Sequence, residues 1–234
     1  MSGVRIWRAH LESMSPADLE ELSALLDSAE HARAARFHFE RDRRHYVASR
    51  GLLRRLLGAA LDEPASALVF EYGLHGKPAI ATGGAQSRIP HFNLSHSSGW
   101  AMFALAWDHV VGIDLECGSR LERDDNSLSD LATRILSARE LAIWRALPNA
   151  AQRHAAFLRA WTRKEAYAKA TGQGVFDELD RIEVALDAAA PKSSLTLRFA
   201  HAPGPMRDWT LHDLSAPEGF TAALAVEQKL QPNA

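Results

Sequence analysis

Cysteine is almost missing from this chain. The single Cys117 excludes an internal disulfide and any cysteine-rich zinc site. Apolar runs fall well short of the ~20 residues that cross a bilayer, and the N-terminus carries no signal-peptide core. A soluble, cytoplasmic protein without membrane contact is therefore expected. An excess of charge is lacking too: a formal net charge of −2 gives no general reason to bind nucleic acid. Lysine is scarce, with five among the 27 basic residues. Three of those five (Lys77, Lys164 and Lys169) fall in the motifs below, which suggests that lysine is specifically required there. Apolar residues are plentiful: 234 residues at 47% hydrophobic can bury a full core, as one large domain or two small halves.

The most informative stretch runs from Phe157 to Gly172. Good helix formers fill it, no proline interrupts it, and Gly172 stands where a helix should stop. Trp161, Glu165 and Lys169 are successive i, i+4 neighbours on one side, flanked by apolar Phe157 and Ala168. Charges beside a packed surface need partners. A second acidic stretch, Val110–Glu116, supplies candidates. Strand alternation puts Asp114 and Glu116 on one face and Val111, Ile113 and Leu115 on the other. Two carboxylates spaced this way repel unless a cation or solvent separates them. A hard divalent ion, completed by substrate phosphates, is the natural partner, and Glu165 can add a third carboxylate.

Elsewhere, residues 4–8 read as a strand. Ser15-Pro16-Ala17-Asp18 starts a helix with an N-cap Ser, Pro at N1 and Asp at N3, and places Leu19, Leu22 and Leu26 on the core side. Between His31 and Arg55 lie Arg33, Arg36, Arg41, Arg43, Arg44, Arg50, Arg54 and Arg55, against two acids, Glu40 and Asp42. Leu53, Leu56, Leu57, Ala60 and Leu61 form an apolar stripe, so one side packs and the other is basic. That basic side is either a solvated face or a seat for a phosphorylated ligand. His31, His38 and His45 are seven apart on a similar face but lack acidic or cysteine companions, which argues against zinc. Residues 68–72 read as a strand and Gly73–Pro78 as a turn projecting Lys77. Phe92–Gly99 joins an extended segment to a strand at 100–107. Ser95 and His96 point to opposite faces there, which suits phosphate contact better than a nucleophile and its base. Residues 117–126 read as a linker. Ser137-Ala138-Arg139-Glu140 is a capping box opening a helix toward Pro148. A helix follows at 152–171, then strands at 181–186, 195–200, 209–214 and 220–226.

Taken together, Gly76-Lys77-Pro78, Asn93-Leu94-Ser95-His96, Gly112-Ile113-Asp114-Leu115-Glu116 and Trp161-x-x-Lys164-Glu165-Ala166-x-x-Lys169 resemble the phosphopantetheinyl transferases, specifically the long, surfactin-synthetase-activating type. The resemblance covers roughly residues 30–225, and the Trp-x-x-Lys-Glu-Ala form is similar to the branch serving secondary metabolism and some fatty-acid synthesis. It implies an α+β fold: a pseudo-twofold monomer of two similar halves, residues 1–109 and 110–234, each a small antiparallel sheet on a long helix. Coenzyme A would lie in the cleft between them. The implied reaction is Mg²⁺-dependent transfer of phosphopantetheine from coenzyme A to a serine of an acyl or peptidyl carrier protein, releasing adenosine 3′,5′-bisphosphate. By position, Asp114, Glu116 and Glu165 match the metal carboxylates, and Asp114, Glu165 and Lys169 the catalytic groups. Arg33, Lys77, Ser95, His96 and Lys169 match coenzyme A contacts. His45 stands where the family often has Arg, with Arg43 or Arg44 able to compensate. A metal-dependent phosphoesterase and a noncatalytic nucleotide-binding module are the competing readings.

Overall fold

The computed structural model describes residues 3–81, 88–121, 125–172, 179–187, 192–195 and 208–228. The chain opens with β1 (Val4–His10), α1 (Pro16–Ser23), α2 (Ser28–Ala34) and the long α3 (Glu40–Leu61). A hairpin of β2 (Phe70–Tyr72) and β3 (Pro78–Ile80) leads to β4 (His91–Ser97) and β5 (Trp100–Ala106). Then come β6 (Val111–Cys117), α4 (Asp125–Ile135), α5 (Ala138–Arg145) and the second long helix, α6 (Ala150–Thr171). Strands β7 (Lys192–Leu195), β8 (Trp209–Leu214) and β9 (Phe220–Glu227) close the described chain. The fold is α+β, and no described helix is long and apolar enough to cross a membrane.

Local chemistry sets the helix ends. Ser15 with Asp18, Asp27 with Glu30, and Ser137 with Glu140 each form a complete capping box, satisfying orphan N–H groups in both directions. Asn149 caps α6 through Gln152 N–H, and Gly172 ends it at φ +72°, a left-handed conformation that glycine adopts without strain.

Beside the two-stranded β2-β3 sheet, the described residues form two larger antiparallel sheets, ordered β1-β5-β4 and β6-β9-β8-β7. Strand alternation then builds layers. Ala101, Phe103 and Leu105 of β5 meet Leu53 and Leu57 of α3 in one core. The intervening Met102, Ala104 and Ala106 pack with Val111, Ile113 and Leu115 of β6 and Ala222, Leu224 and Val226 of β9 in a second. On the far side of β9, Ala223 and Ala225 join Ala160, Ala166 and Ala170 of α6 in a third. Both central strands are thus apolar on both faces, so they read as continuous hydrophobic runs.

Several expectations change. Residues 181–186 form no strand; Leu179–Arg181 is a 3-10 turn followed by irregular chain. Arg159 donates to Leu186 C=O (2.7 Å) and Arg163 to Ala185 C=O, so side chains, not a sheet ladder, satisfy this backbone. The strand expected at 195–200 overlaps β7 at Leu195 alone, and 196–200 lie outside the described residues. Of the expected linker at 117–126, Cys117 ends β6, Gly118–Leu121 is a short 3-10 turn, and α4 starts at Asp125. The histidines share no face: His31 lies on α2, His45 on α3, and His38 between them. The arginine-rich side is not wholly solvated either. Arg54 is fully buried and donates to Glu30 (2.5 Å), Asp27 (2.7 Å) and the carbonyls of Ala65 and Leu68. Arg50 also bonds Glu30 and lies over the Phe70 ring.

Helix α6 crosses β6 at Gly112, where any side chain would have to share space with helix backbone. A Cβ at Gly112 would lie 2.1 Å from Ala166 O and 2.4 Å from Ala170 N. Gly112→Ala is therefore expected to destabilise the protein by about 1–3 kcal/mol or more, because neither backbone atom can move alone. Urea unfolding measures this, and an unchanged midpoint would show that α6 does not rest on Gly112.

Candidate active site

The close approach at Gly112 brings the acidic face of β6 against α6. Asp114 is buried, and its Oδ1 accepts from Lys169 Nζ (2.6 Å) and from Ser95 Oγ (3.0 Å). Lys169 also donates to Ser95 Oγ (2.9 Å). Glu116, half-buried, accepts from Ser97 Oγ at 3.2 Å and from the Trp161 indole N–H at 3.3 Å. Glu165 is buried on α6, one turn before Lys169. Two carboxylate oxygens, Asp114 Oδ2 and Glu165 Oε1, are buried with no hydrogen-bond partner.

These charges act on one another. Burial, and then the negative charge of Asp114, push the Glu165 carboxyl up to about 8; Lys169 opposes this and Glu116 adds to it. Glu116 is raised by burial and Asp114, against its bonds to Trp161 and Ser97 and the charge of Lys169. Orphaned carboxylate oxygens facing like charge fit a hard, oxygen-loving cation. Among the described residues no three Asp, Glu, His or Cys groups already form a cation cage.

Other expected site residues divide among three clefts. His96, on the opposite face of β4 from Ser95, lines one of about 530 Å³ with His45, Arg41, Tyr46, Glu12 and Ser98. Arg33 is exposed, its guanidinium 5.6 Å from the centre of the Tyr46 ring, so it stands beside this cleft. Arg43 and Arg44 line a different cleft with Glu20, so of these arginines it is Arg41 that accompanies His45. Lys77 lines a cleft of about 650 Å³ with His75, His91 and Thr171. Its ammonium donates to Ala170 O at the end of α6 (2.6 Å), and burial lowers its pKa to about 8. Lys77 therefore ties the β2–β3 hairpin to the helix carrying Glu165 and Lys169.

Lys164 is fully buried, outside the carboxylate cluster. It donates to Glu140 (2.6 Å) and the carbonyls of Ile135 and Leu179, using all three protons to clamp α6 to its surroundings. The sequence reading missed Ser97 and gave Trp161 no polar role. The signal for Ser97 was present: Asn93, Ser95 and Ser97 are polar at every second position of a strand whose other face is largely apolar.

The chain that carries this seam of carboxylates and lysine between β6 and α6 matches known enzymes along most of its length. Residues 110–225 match the profile described as the 4′-phosphopantetheinyl transferase superfamily, and residues 13–107 match the 4′-phosphopantetheinyl transferase N-terminal region. The 4′-phosphopantetheinyl transferase HetI of Nostoc sp. is 39% identical over 223 residues, covering 95% of this chain and 87% of that protein. The 4′-phosphopantetheinyl transferase psf-1 of Bacillus pumilus is 32% identical over 67% of this chain and 62% of its own length. The L-aminoadipate-semialdehyde dehydrogenase-phosphopantetheinyl transferase of Xenopus laevis is 31% identical over 78% of this chain and 62% of its own length. The chain belongs to the 4′-phosphopantetheinyl transferase superfamily and is an enzyme.

The raised Glu165 carboxyl gives stability a definite pH dependence. The folded chain holds this proton more tightly than the unfolded chain, whose carboxyl titrates near 4.5. The resulting stabilisation is fully present below about pH 4.5 and is lost as pH rises through about 8. Glu165→Gln, which cannot ionise, is expected to melt higher than the parent at pH 8.5 in metal-free buffer, with the difference vanishing near pH 4. Melting curves across that range test it, and a constant difference would show that Glu165 is not electrostatically strained.

Proposed function

We propose that this transferase moves the 4′-phosphopantetheine group from coenzyme A to a serine hydroxyl of an acyl or peptidyl carrier protein, with Mg²⁺ as cofactor. The observation that carries the reading is the pair of orphaned oxygens on Asp114 and Glu165, within a seam that also holds Glu116 and Lys169. Two halves, 1–109 and 110–234, would flank the coenzyme A cleft, a division consistent with the 13–107 and 110–225 matches. The long, surfactin-synthetase-activating branch, acting as a cytoplasmic monomer on carrier domains of secondary metabolism or fatty-acid synthesis, is the proposed placement. The Trp161-x-x-Lys164-Glu165-Ala166 motif supports it.

Asp114, Glu116 and Glu165 would hold the Mg²⁺, which when bound neutralises pyrophosphate charge. The nucleotide end would enter the 530 Å³ cleft, where His96, His45 and Arg41 offer phosphate donors and Arg33 stands at the side. The serine oxygen attacks the phosphorus bearing the pantetheine arm, forming a new O–P bond. The bond from that phosphorus to the oxygen of the nucleotide 5′-phosphate breaks, and the departing group is adenosine 3′,5′-bisphosphate. Glu165, buried on α6 one turn before Lys169, would take the serine proton directly or through water. Lys169, already within 2.6 Å of Asp114, balances charge on the departing bisphosphate.

Intact-mass analysis of apo carrier proteins with coenzyme A and Mg²⁺ tests this reading. One phosphopantetheine should be added per carrier, with adenosine 3′,5′-bisphosphate released in equal amount. Asp114→Ala and excess chelator should each abolish addition. Lys169→Ala should weaken coenzyme A affinity and slow single turnover by roughly 10²-fold, the scale of losing one preorganised charge contact. Coenzyme A cleavage without carrier modification would instead make the protein a phosphoesterase. Full activity in chelator would remove the metal assignment.

A further inference from the structure

Strand β6 is an edge strand of its sheet, with β9 as its backbone partner. Its other edge faces β4, which is also an edge strand of its own sheet. No backbone ladder joins the two. Side chains of β4 bridge the gap instead, in a regular series. Asn93 Oδ1 accepts from Ile113 N–H (2.9 Å), Ser95 Oγ from Leu115 N–H (3.2 Å) and Ser97 Oγ from Cys117 N–H (3.2 Å). The three β4 side chains are 6%, 4% and 2% exposed, so water does not compete for these N–H groups. Each step along β4 is matched by an equal step along β6, which fixes the register of one sheet against the other.

The two serines do a second thing. A hydroxyl donates one hydrogen bond and can accept up to two. Ser95 accepts from Leu115 N–H and donates to the preceding Asp114; Ser97 accepts from Cys117 N–H and donates to the preceding Glu116. The arrangement repeats at a two-residue spacing, so one strand edge aims both carboxylates. From this geometry we infer that Ser97 is a positioning residue: its hydroxyl orients the Glu116 carboxylate while fixing the end of β6 against β4. Asn93 serves the same ladder, and Ile113, the residue it caps, is followed rather than preceded by a carboxylate. Asn93 therefore sets register without orienting an acid. Trp161 completes the hold on Glu116 from α6, so that carboxylate is gripped from both halves.

The inference rests on the transferase reading for its kinetic consequence and on backbone chemistry for its structural one, and the two are read separately. Ser97→Ala, Ser97→Thr and Asn93→Ala are compared with the parent by amide hydrogen exchange of the ligand-free protein and by carrier modification at varied Mg²⁺. Ser97→Ala is expected to speed Cys117 exchange about tenfold, as one lost hydrogen bond of about 1.4 kcal/mol would. Leu115 should be little changed. The Mg²⁺ concentration for half-maximal rate should rise several-fold, with the coenzyme A KM close to the parent's. Ser97→Thr, which keeps the hydroxyl, should recover both. Asn93→Ala should speed exchange at Ile113 and leave the Mg²⁺ requirement near the parent's, which a purely structural role for all three residues would not do. If Ser97→Thr fails to fold, the contrast between the two alanine variants decides. Unchanged Cys117 exchange in Ser97→Ala overturns the inference. So does faster exchange with an unaltered Mg²⁺ requirement. A parent that modifies no carrier would defeat the transferase reading instead, and the exchange pattern at Ile113, Leu115 and Cys117 would still decide the ladder.

Discussion

Asp114 and Glu165 are buried beside the half-buried Glu116, and the Lys169 ammonium is in direct contact with Asp114. Like charges held this way repel strongly, because a low-dielectric surround weakens screening. The raised carboxyl of Glu165 reflects burial first and the negative charge of Asp114 second. Such a cluster persists only if the elements carrying it are held by independent forces. Gly112 lets α6 press on β6, Lys77 anchors the end of α6, and the side chains of β4 close the open edge of β6.

Those independent forces are partly ionic as well, and differently arranged. Lys164 satisfies all three of its protons on Glu140 and two carbonyls, with Glu140 also accepting from Ser137 and Val184 N–H. Arg54 spreads its fork over Glu30, Asp27 and two carbonyls. Arg163 grips Asp213 with two bonds of 2.8 Å. A buried charge with every hydrogen-bonding site occupied holds one arrangement, whereas the carboxylate seam has sites left open. That difference in satisfaction separates scaffold charges from reactive ones more clearly than burial does, since Lys164 and Glu165 are both buried.

Much of this was legible from residue order. Capping signals placed the starts of α1 and α5, and Gly172 placed the end of α6, because those motifs act through bonds within a few residues. Alternation along β6 put Asp114 and Glu116 on one face, and helical spacing put Glu165 near Lys169. The failures share a cause. Residues 181–186 look like a strand by composition, yet Arg159 and Arg163, more than fifteen residues earlier, claim their carbonyls. Arg50 and Arg54 look like part of a basic surface until Glu30 is brought against them from α2. Nothing local announces either event.

The sequence by itself determined the helices with strong caps, the two-faced apolar strands, the scarcity and placement of lysine, and the family motifs. These depend on periodicity and on bonds between near neighbours, which a linear order contains. Tertiary structure alone decided what each polar residue does. Ser95 and Ser97 became hydrogen-bonding partners of β6, Trp161 a donor to Glu116, and Lys77 a cap on a helix 93 residues away. A hydroxyl, an indole N–H or an ammonium can serve ligand, water or backbone equally well. Which it serves is fixed by what long-range packing leaves within about 3 Å of it.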